Sequence, residues 1–312
     1  MATTEKRRIA IVYVPEQLTP FREHISSNQL AAIQDSLRRA SWDSIVLEYD
    51  PLAITSDLSA CRPSVVLNLA YGYRNPRRNI HQSQAAVAAK LEASGLPIVG
   101  SSGKVQHIAQ DKIQCAKKLQ AHGVNSPRCF NVGDLGQMPP IAIRKPRYGA
   151  CHRDVSLVDS KMIESQELHD KDLILQEYID GREFTVAVVE VDGNPVVLPA
   201  LEVVFKRRPH VMVSGQSDWD MKPVFPENRS LARTARRVFS RLQMRDYARI
   251  DIRMRNRDIY VLDVNSLPNL DPERSYLPLA AKCAGLSFAR LITLLITSSL
   301  HRASGNTRHP DQ

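Results

Sequence analysis

The sequence predicts an α/β fold in its first third and an α+β fold in the remainder. Short β-rich runs alternate with helical spacing as far as Gly100, and turn signals near Asp192 and Asn256 separate alternating apolar runs. No internal repeat or low-complexity tract interrupts the chain. Strands alternating with helices favour a covered parallel sheet, whereas tight turns between alternating runs favour antiparallel hairpins. A chain of 312 residues accommodates two or three modest domains.

The elements follow in order. Ile9 to Val14, Ile45 to Tyr49 and Val65 to Leu69 read as strands, and Asn28 to Ala40 and Ala85 to Ser94 read as helices. Gly95-Leu96-Pro97 stops the second helix before the short strand Ile98-Val99. One helix is expected near Lys104 to His122, ending at Gly123. Strands at Ala142 to Arg144 and Leu173 to Tyr178 flank a polar, glycine-bearing stretch around Arg147 to Asp154, which suits a cover over a ligand. Phe184 to Glu190 and Val196 to Val204 form a hairpin about Asp192-Gly193. A second hairpin joins Ala248 to Arg255 with Ile259 to Val264, and an amphipathic helix from Phe288 to Leu300 precedes a frayed tail.

Composition excludes several classes. The most apolar segment, Leu291 to Ile296, is too short to span a membrane, so no membrane partner is expected. The charged start does not resemble a signal peptide, and a cytoplasmic location is the simplest expectation. Five cysteines without a CxxC pair and nine histidines without HExxH spacing argue against disulfide frameworks and zinc sites. The net charge of +9 is spread along the chain, apart from clusters at Arg74 to Arg78 and Lys206 to Arg208. Without a recognisable binding motif, a nucleic-acid partner is unlikely; a solvated surface or a site for anionic substrates explains the charge as well.

The second hairpin carries the most chemistry. Alternation puts Arg249 and Asp251 on one face, opposite Ile250 and Ile252, and Asp263 with Asn265 opposite Leu262 and Val264. A turn through Asn256, Arg257 and Asp258 makes Asp251 and Asp263 cross-strand neighbours, with Arg249 opposite Asn265. Facing carboxylates repel and require a cation. Two aspartates and an amide oxygen are hard ligands suited to Mg²⁺. The alternative is an exposed hairpin whose acids pair with nearby arginines.

Asp263-Val264-Asn265-Ser266-Leu267-Pro268 resembles the metal-binding strand of ATP-grasp enzymes, and Arg249-Ile250-Asp251 resembles the strand before it. Further matches occur in the right order: Gly95 to Ser101, Gln110-Asp111-Lys112, Arg144-Lys145-Pro146, Gln176 to Phe184, and Ala284 to Phe288. The sequence is most similar to D-alanine–D-alanine ligases over nearly its whole length. This resemblance implies a three-domain ATP-grasp fold: a Rossmann-like N-terminal domain (residues 1–105), a central subdomain (106–184) and a C-terminal catalytic domain (185–312). It implies an ATP-dependent carboxylate–amine ligase working through an acyl phosphate on small amino-acid-like substrates, and it allows a homodimer. A housekeeping D-alanine–D-alanine ligase and a non-catalytic nucleotide-binding homologue are the alternatives.

The same resemblance assigns roles. Lys112 and Lys145 would face the ATP phosphates; Gln176, Glu177 and Ile179 would offer backbone groups to adenine; and Glu183 would accept from the ribose. Asp251, Asp263 and Asn265 would hold Mg²⁺, and Arg249 would steady the oxyanion. Glu23, in Arg22 to Ser26, would bind the substrate ammonium, and Ser275 and Tyr276 would grip a carboxylate. Each lysine taken alone reads as a solvated surface residue, and Glu23 reads equally as a helix-entry acid. The chain also departs from the family. Gly149-Ala150-Cys151-His152 stands for a Gly-Ser-Ser phosphate loop, Tyr71-Gly72 for a His-Gly pair, which makes Tyr71 a substrate-binding candidate, and Arg74 to Arg78 for an acidic stretch. The mobile-loop Lys-Tyr pair is missing from Val211 to Asp220, where Lys206 or Lys222 are the candidate substitutes. Altered substrate positions beside retained ATP positions suggest a related ligase of specialised metabolism. Tyr73, Arg74, Arg77 and Arg78 then become candidates for an anionic or larger donor, against a simple solvated loop.

Overall fold

A computed structural model describes residues 7–20, 24–130, 134, 138–148, 155–163, 170, 172–206, 219–224 and 229–305. Its N-terminal part comprises β1 (Arg8–Tyr13), α1 (Ser27–Arg39), β2 (Asp43–Glu48), α2 (Ile54–Cys61), β3 (Val65–Asn68), a hairpin of β4 (Gly72–Asn75) and β5 (Ile80–Ser83), α3 (Gln84–Glu92) and β6 (Ile98–Val99). The expected parallel sheet forms in the order β2-β1-β3-β6. Helix α2 and the β4–β5 hairpin were not legible in the sequence: α2 is only eight residues long, and β4–β5 is an arginine-rich ribbon.

The single helix expected near residues 104–122 is two helices, α4 (Gly103–Gln110) and α5 (Lys112–Ala121). Asp111 adopts an extended backbone between them, and its carboxylate accepts from the N–H groups of Ile113 and Gln114. A continuous helix would lose this N-cap, which is worth about 1 kcal/mol. Gly103 lets α4 approach α3 closely, since a Cβ there would lie 2.8 Å from the Ala85 carbonyl oxygen. The expected domain limit at residue 105 falls inside α4, and that at 184 falls inside a later strand.

The central part is an antiparallel sheet of β7 (Cys129–Phe130), β8 (Ile141–Pro146), β9 (Ser156–Asp159) and β10 (Leu173–Glu177), in the order β7-β10-β8-β9. Gly181 then turns the chain at φ +156°, where a Cβ would meet the Met254 carbonyl oxygen at 2.3 Å. The C-terminal part contains β11 (Arg182–Val191), β12 (Asn194–Val197), β13 (Ala200–Phe205), β14 (Trp219–Val224), α6 (Arg229–Arg241), β15 (Tyr247–Arg255), β16 (Asp258–Asn265), α7 (Tyr276–Cys283) and α8 (Phe288–Ala303). Its sheet runs β14-β13-β11-β15-β16, with β12 paired to β11 through the Asp192-Gly193 turn.

Helix α8 ties the two sheets together. Leu291, Ile292, Leu295 and Ile296, spaced on one stripe, are fully buried against Val65 and Leu67 of one sheet and Ala187 and Val189 of the other. Burial at about 2 kcal/mol per such side chain is an upper figure, yet it makes this helix a central brace rather than a terminal cover. Among the described residues no single helix is long and apolar enough to cross a membrane.

Candidate active site

Three neighbouring strands set the floor of the site. Register places Glu183, Arg253 and Tyr260 in one row across β11, β15 and β16. Thr185, Asp251 and Asp263 form the next row, and Ala187, Arg249 and Asn265 the third. Directly opposed residues share a face of the sheet, so the predicted acids do converge.

They converge for a reason the sequence concealed. Arg255 pairs with Asp258, so the turn contains only Asn256 and Arg257, one residue fewer than expected. Continued at that register, Asp263 would point into the core. A bulge at Leu262 intervenes: Ile252 pairs with Val261, whereas Asp251 pairs with Asp263. The extra residue returns Asp263 and Asn265 to the site face. Val261 and Val264, rather than Leu262 and Val264, enter the core, and the Leu262 carbonyl accepts from Lys145 Nζ at 3.3 Å.

Asp251 is held on several sides. It accepts from Thr185 Oγ1 at 2.7 Å, Asn265 Nδ2 at 3.1 Å, and Arg249 Nε and Nη2 at 3.1 and 3.0 Å. Arg249 therefore supplies positive charge beside the facing carboxylates, and its guanidinium also lies 5.4 Å from the Tyr276 ring centre. Asn265 directs its amide nitrogen at Asp251, which leaves its amide oxygen as the ligand atom. Two carboxylates and that oxygen suit a small hard cation.

The lysines meet this floor from the central part. Lys112, Cys115, Gln176 and Asp263 line one small cleft. Lys145 is only 8% exposed, and burial, followed by the charge of Lys112, lowers its ammonium pKa to about 8. Burial, with Asp263 nearby, pushes the Cys115 thiol up to about 12, so it is no nucleophile.

Asp111 fixes the geometry around Lys112. Its fully buried carboxylate caps α5, accepts from Gln114 Nε2 at 2.8 Å, and takes Arg147 Nε and Nη2 at 3.0 and 2.6 Å and the Tyr148 hydroxyl at 2.8 Å. Burial opposes its ionisation, but these donors together hold the carboxyl well below the usual range. The Lys112 N–H also donates to the Arg147 carbonyl at 3.2 Å. The start of α5 and the exit of β8, each adjoining a site lysine, are therefore riveted together.

The segment from Gln176 to Glu183 is equally packed. Gln176 lies inside the sheet, laddered to β7 and β8, and its amide donates to the Pro127 carbonyl at 3.4 Å. Glu177 donates its N–H to the Arg128 carbonyl and accepts from Arg255 at 3.2 Å. The Ile179 carbonyl accepts from Arg253 Nη1 at 2.7 Å. Arg253 also donates to Glu183 Oε2 at 2.9 and 2.6 Å and lies 5.4 and 5.7 Å from the Tyr178 and Phe205 ring centres. Burial pushes the Glu183 carboxyl up against the pull of Arg253.

At the start of α7, Ser275 precedes the helix without capping it through its side chain, and Tyr276 is the first helical residue. Tyr71 is buried in the cluster that contains Ile25 and Leu270. Tyr73 is 1% exposed and packs edge-on against Tyr49, so it belongs to the core. Arg78 pairs with Asp50 at 2.6 Å, whereas Arg74 and Arg77 are exposed. Lys206 pairs with Asp220 at 3.5 Å, and Lys222 lies in β14. Glu23, Gly149 to His152 and Val211 to Ser217 lie outside the described residues.

Sequence reasoning missed Thr185, Arg253 and the Asp111 clamp. Alternation along β11 places Thr185 on the face of Glu183 and could have exposed the first. The others depend on partners 36 and 70 positions away.

Residues 109–269 match the ATP-grasp domain family, about half of the chain. A D-alanine–D-alanine ligase of Carboxydothermus hydrogenoformans is 30% identical over 242 residues, 69% of this chain and 77% of that protein. An uncharacterized protein of Sinorhizobium fredii is 30% identical over 284 residues, 82% of this chain and 79% of its own. In fold, the chain is similar to the Bacillus anthracis D-alanine–D-alanine ligase complexed with ATP (TM-score 0.71, 19% identity, 96% and 99% of the two chains). It is likewise similar to the VanG D-Ala:D-Ser ligase from Enterococcus faecalis (TM-score 0.69, 17% identity, 95% and 100%). The chain belongs to the ATP-grasp family. Within it, the protein is a D-alanine–D-alanine ligase-like enzyme, an ATP-dependent carboxylate–amine ligase.

Proposed function

We propose that the enzyme joins two amino-acid-like substrates: the ATP γ-phosphoryl passes to the carboxylate of one, releasing ADP, and the amine of the other attacks the resulting acyl phosphate, expelling inorganic phosphate as the amide bond forms. The observation that carries this reading is the bulge at Leu262, which turns Asp263 and Asn265 toward Asp251 beside Lys112 and Lys145. Asp251, Asp263 and Asn265 would hold Mg²⁺, which when bound neutralises charge on transferring phosphate oxygens. Lys112 and Lys145 supply further point charges to those oxygens. Arg249, beside Tyr276 at the start of α7, stabilises the oxyanion formed when the amine attacks. Ser275 and the Tyr276 N–H orient the carboxylate of the accepting substrate, and Glu23 receives a substrate ammonium.

The substrates differ from those of a housekeeping D-alanine–D-alanine ligase. The support is the β4–β5 hairpin, which presents exposed Arg74 and Arg77 where the resembling family carries acids. Such a ligase serves a specialised pathway. ADP release measured across amino acids and dipeptides tests the whole reading. Release must require an amine acceptor, and Asp263→Asn should reduce it by on the order of 100-fold, the scale of losing one preorganised transition-state contact. ADP release that ignores every amine and dipeptide supplied rejects the proposal.

A further inference from the structure

A cavity of about 460 Å³ opens at the far end of β11, between its turn into β12 and the last turns of α8. It is remote from the carboxylate pair: Glu190 stands five residues along β11 from Thr185, roughly 17 Å of strand. Its size is that of small-molecule sites, and its walls carry both signs of charge. Two acidic residues, Glu190 and Asp192, and two basic ones, Arg7 and His301, line it. Thr297 and Ser298 complete the lining from α8.

Glu190 is mostly buried and held in place, since its Oε2 accepts the Asp246 N–H at 3.1 Å. Thr297 turns its hydroxyl back to the Thr293 and Leu294 carbonyls, and Ser298 donates to Asp246 at 2.8 Å. The charged groups are thus left to recognise whatever enters.

We propose that this cavity binds a small zwitterion, an amino acid or a dipeptide, at a site separate from catalysis. Its ammonium lies against Glu190 and Asp192, and its carboxylate against Arg7 and His301. Such a ligand touches the joint between the sheets. Glu190 and Ser298 both hold Asp246, whose carboxylate accepts the Gly100 N–H at 2.7 Å and Arg302 Nη2 at 3.1 Å. Gly100 directly follows β6, the edge of the N-terminal sheet. The inference goes beyond the ligase reading and does not require it.

The test is equilibrium dialysis of the full chain against radiolabelled alanyl-alanine, as the L,L and D,D forms, with ADP and Mg²⁺ present. Thr297→Trp fills the cavity from an exposed helix position, and its melting temperature without dipeptide reports folding. The expected result is one equivalent of dipeptide in the wild type that Thr297→Trp loses. Glu190→Gln should weaken that equivalent by about tenfold, the worth of one charge-assisted hydrogen bond. Equal stoichiometry in wild type and Thr297→Trp overturns the proposal. If Thr297→Trp misfolds, unchanged affinity in Glu190→Gln overturns it instead. Amine-dependent ADP release is scored separately, so the cavity and the ligase readings fail independently.

Discussion

The phosphate side of the site and the β4–β5 hairpin treat charge in opposite ways. On the phosphate side, Asp111, Asp251 and Glu183 are each gripped by an arginine, the first two by further donors as well, and Lys145 is almost sealed from water. On the hairpin, Arg74 and Arg77 stand in solvent, with only Arg78 fastened to Asp50. Charges preorganised in a low-dielectric setting act strongly and tolerate little change. Exposed charges act weakly and can be exchanged at small cost. Under the proposed reading, phosphoryl transfer belongs to the rigid half and the adjustable recognition of substrate to the other.

The largest effect should come from Asp111, which touches no substrate but ties α5 to the end of β8. Asp111→Ala removes the rivet, and displacing Lys112 by about 1 Å should raise the Michaelis constant for ATP on the order of 10–100-fold. The constants for the other substrates should stay unchanged. Asp111→Asn keeps the helix cap but loses the charge facing Arg147, so its defect should be milder. Steady-state kinetics of both variants check this, and an unmoved ATP constant in Asp111→Ala would remove Asp111 from the positioning of the site.

A smaller effect follows from Lys145. Its folded pKa of about 8 lies below the ordinary value of 10.5, so the ammonium form that attracts phosphate is lost as pH rises through 8. ADP affinity without divalent cation should therefore fall above pH 8, at most about tenfold per pH unit, the limit for a single proton. Lys145→Arg should flatten the profile, because a guanidinium stays charged throughout. Calorimetric titrations between pH 6.5 and 9.5, as a range of about three units around that value, distinguish the two; identical profiles would mean that Lys145 is remote from the phosphates.

The smallest effect belongs to the hairpin. Arg74→Ala with Arg77→Ala should raise the Michaelis constant of the carboxylate donor by about two- to fivefold, typical of exposed ion pairs. ATP parameters should not move, and the effect should shrink in high salt. An unchanged donor constant would reduce the hairpin to a solvated loop and erase half of the comparison.

Much of the molecule was legible before any coordinates. The parallel character of the first sheet follows from strands separated by helices, and the Asp192-Gly193 hairpin from its turn residues; the strand order does not. Asp251 and Asp263 were correctly read as neighbours, but through a turn of the wrong length. The two-residue turn and the compensating bulge leave no mark in composition, since Leu262 is as apolar as the residues beside it. Helix α4–α5 reads as one element because the periodicity runs through Asp111; besides the local cap, the break is offset by Arg147 and Tyr148, which follow β8. Tyr73 reads as a binding residue beside three arginines, but Tyr49, just past β2, and the cluster around Val12 and Val87 draw it into the core.

What the chain determined alone was its inventory and its alternation: which residues could carry phosphate, metal and oxyanion chemistry, and which stretches had to be strand or helix. Those are local matters, set by side-chain type and by periods of two and 3.6 residues. The tertiary structure decided which of those residues share a face, which are buried, and which are clamped. Such outcomes depend on partners far apart in sequence, and a single inserted residue in a strand reverses the side to which every later side chain points.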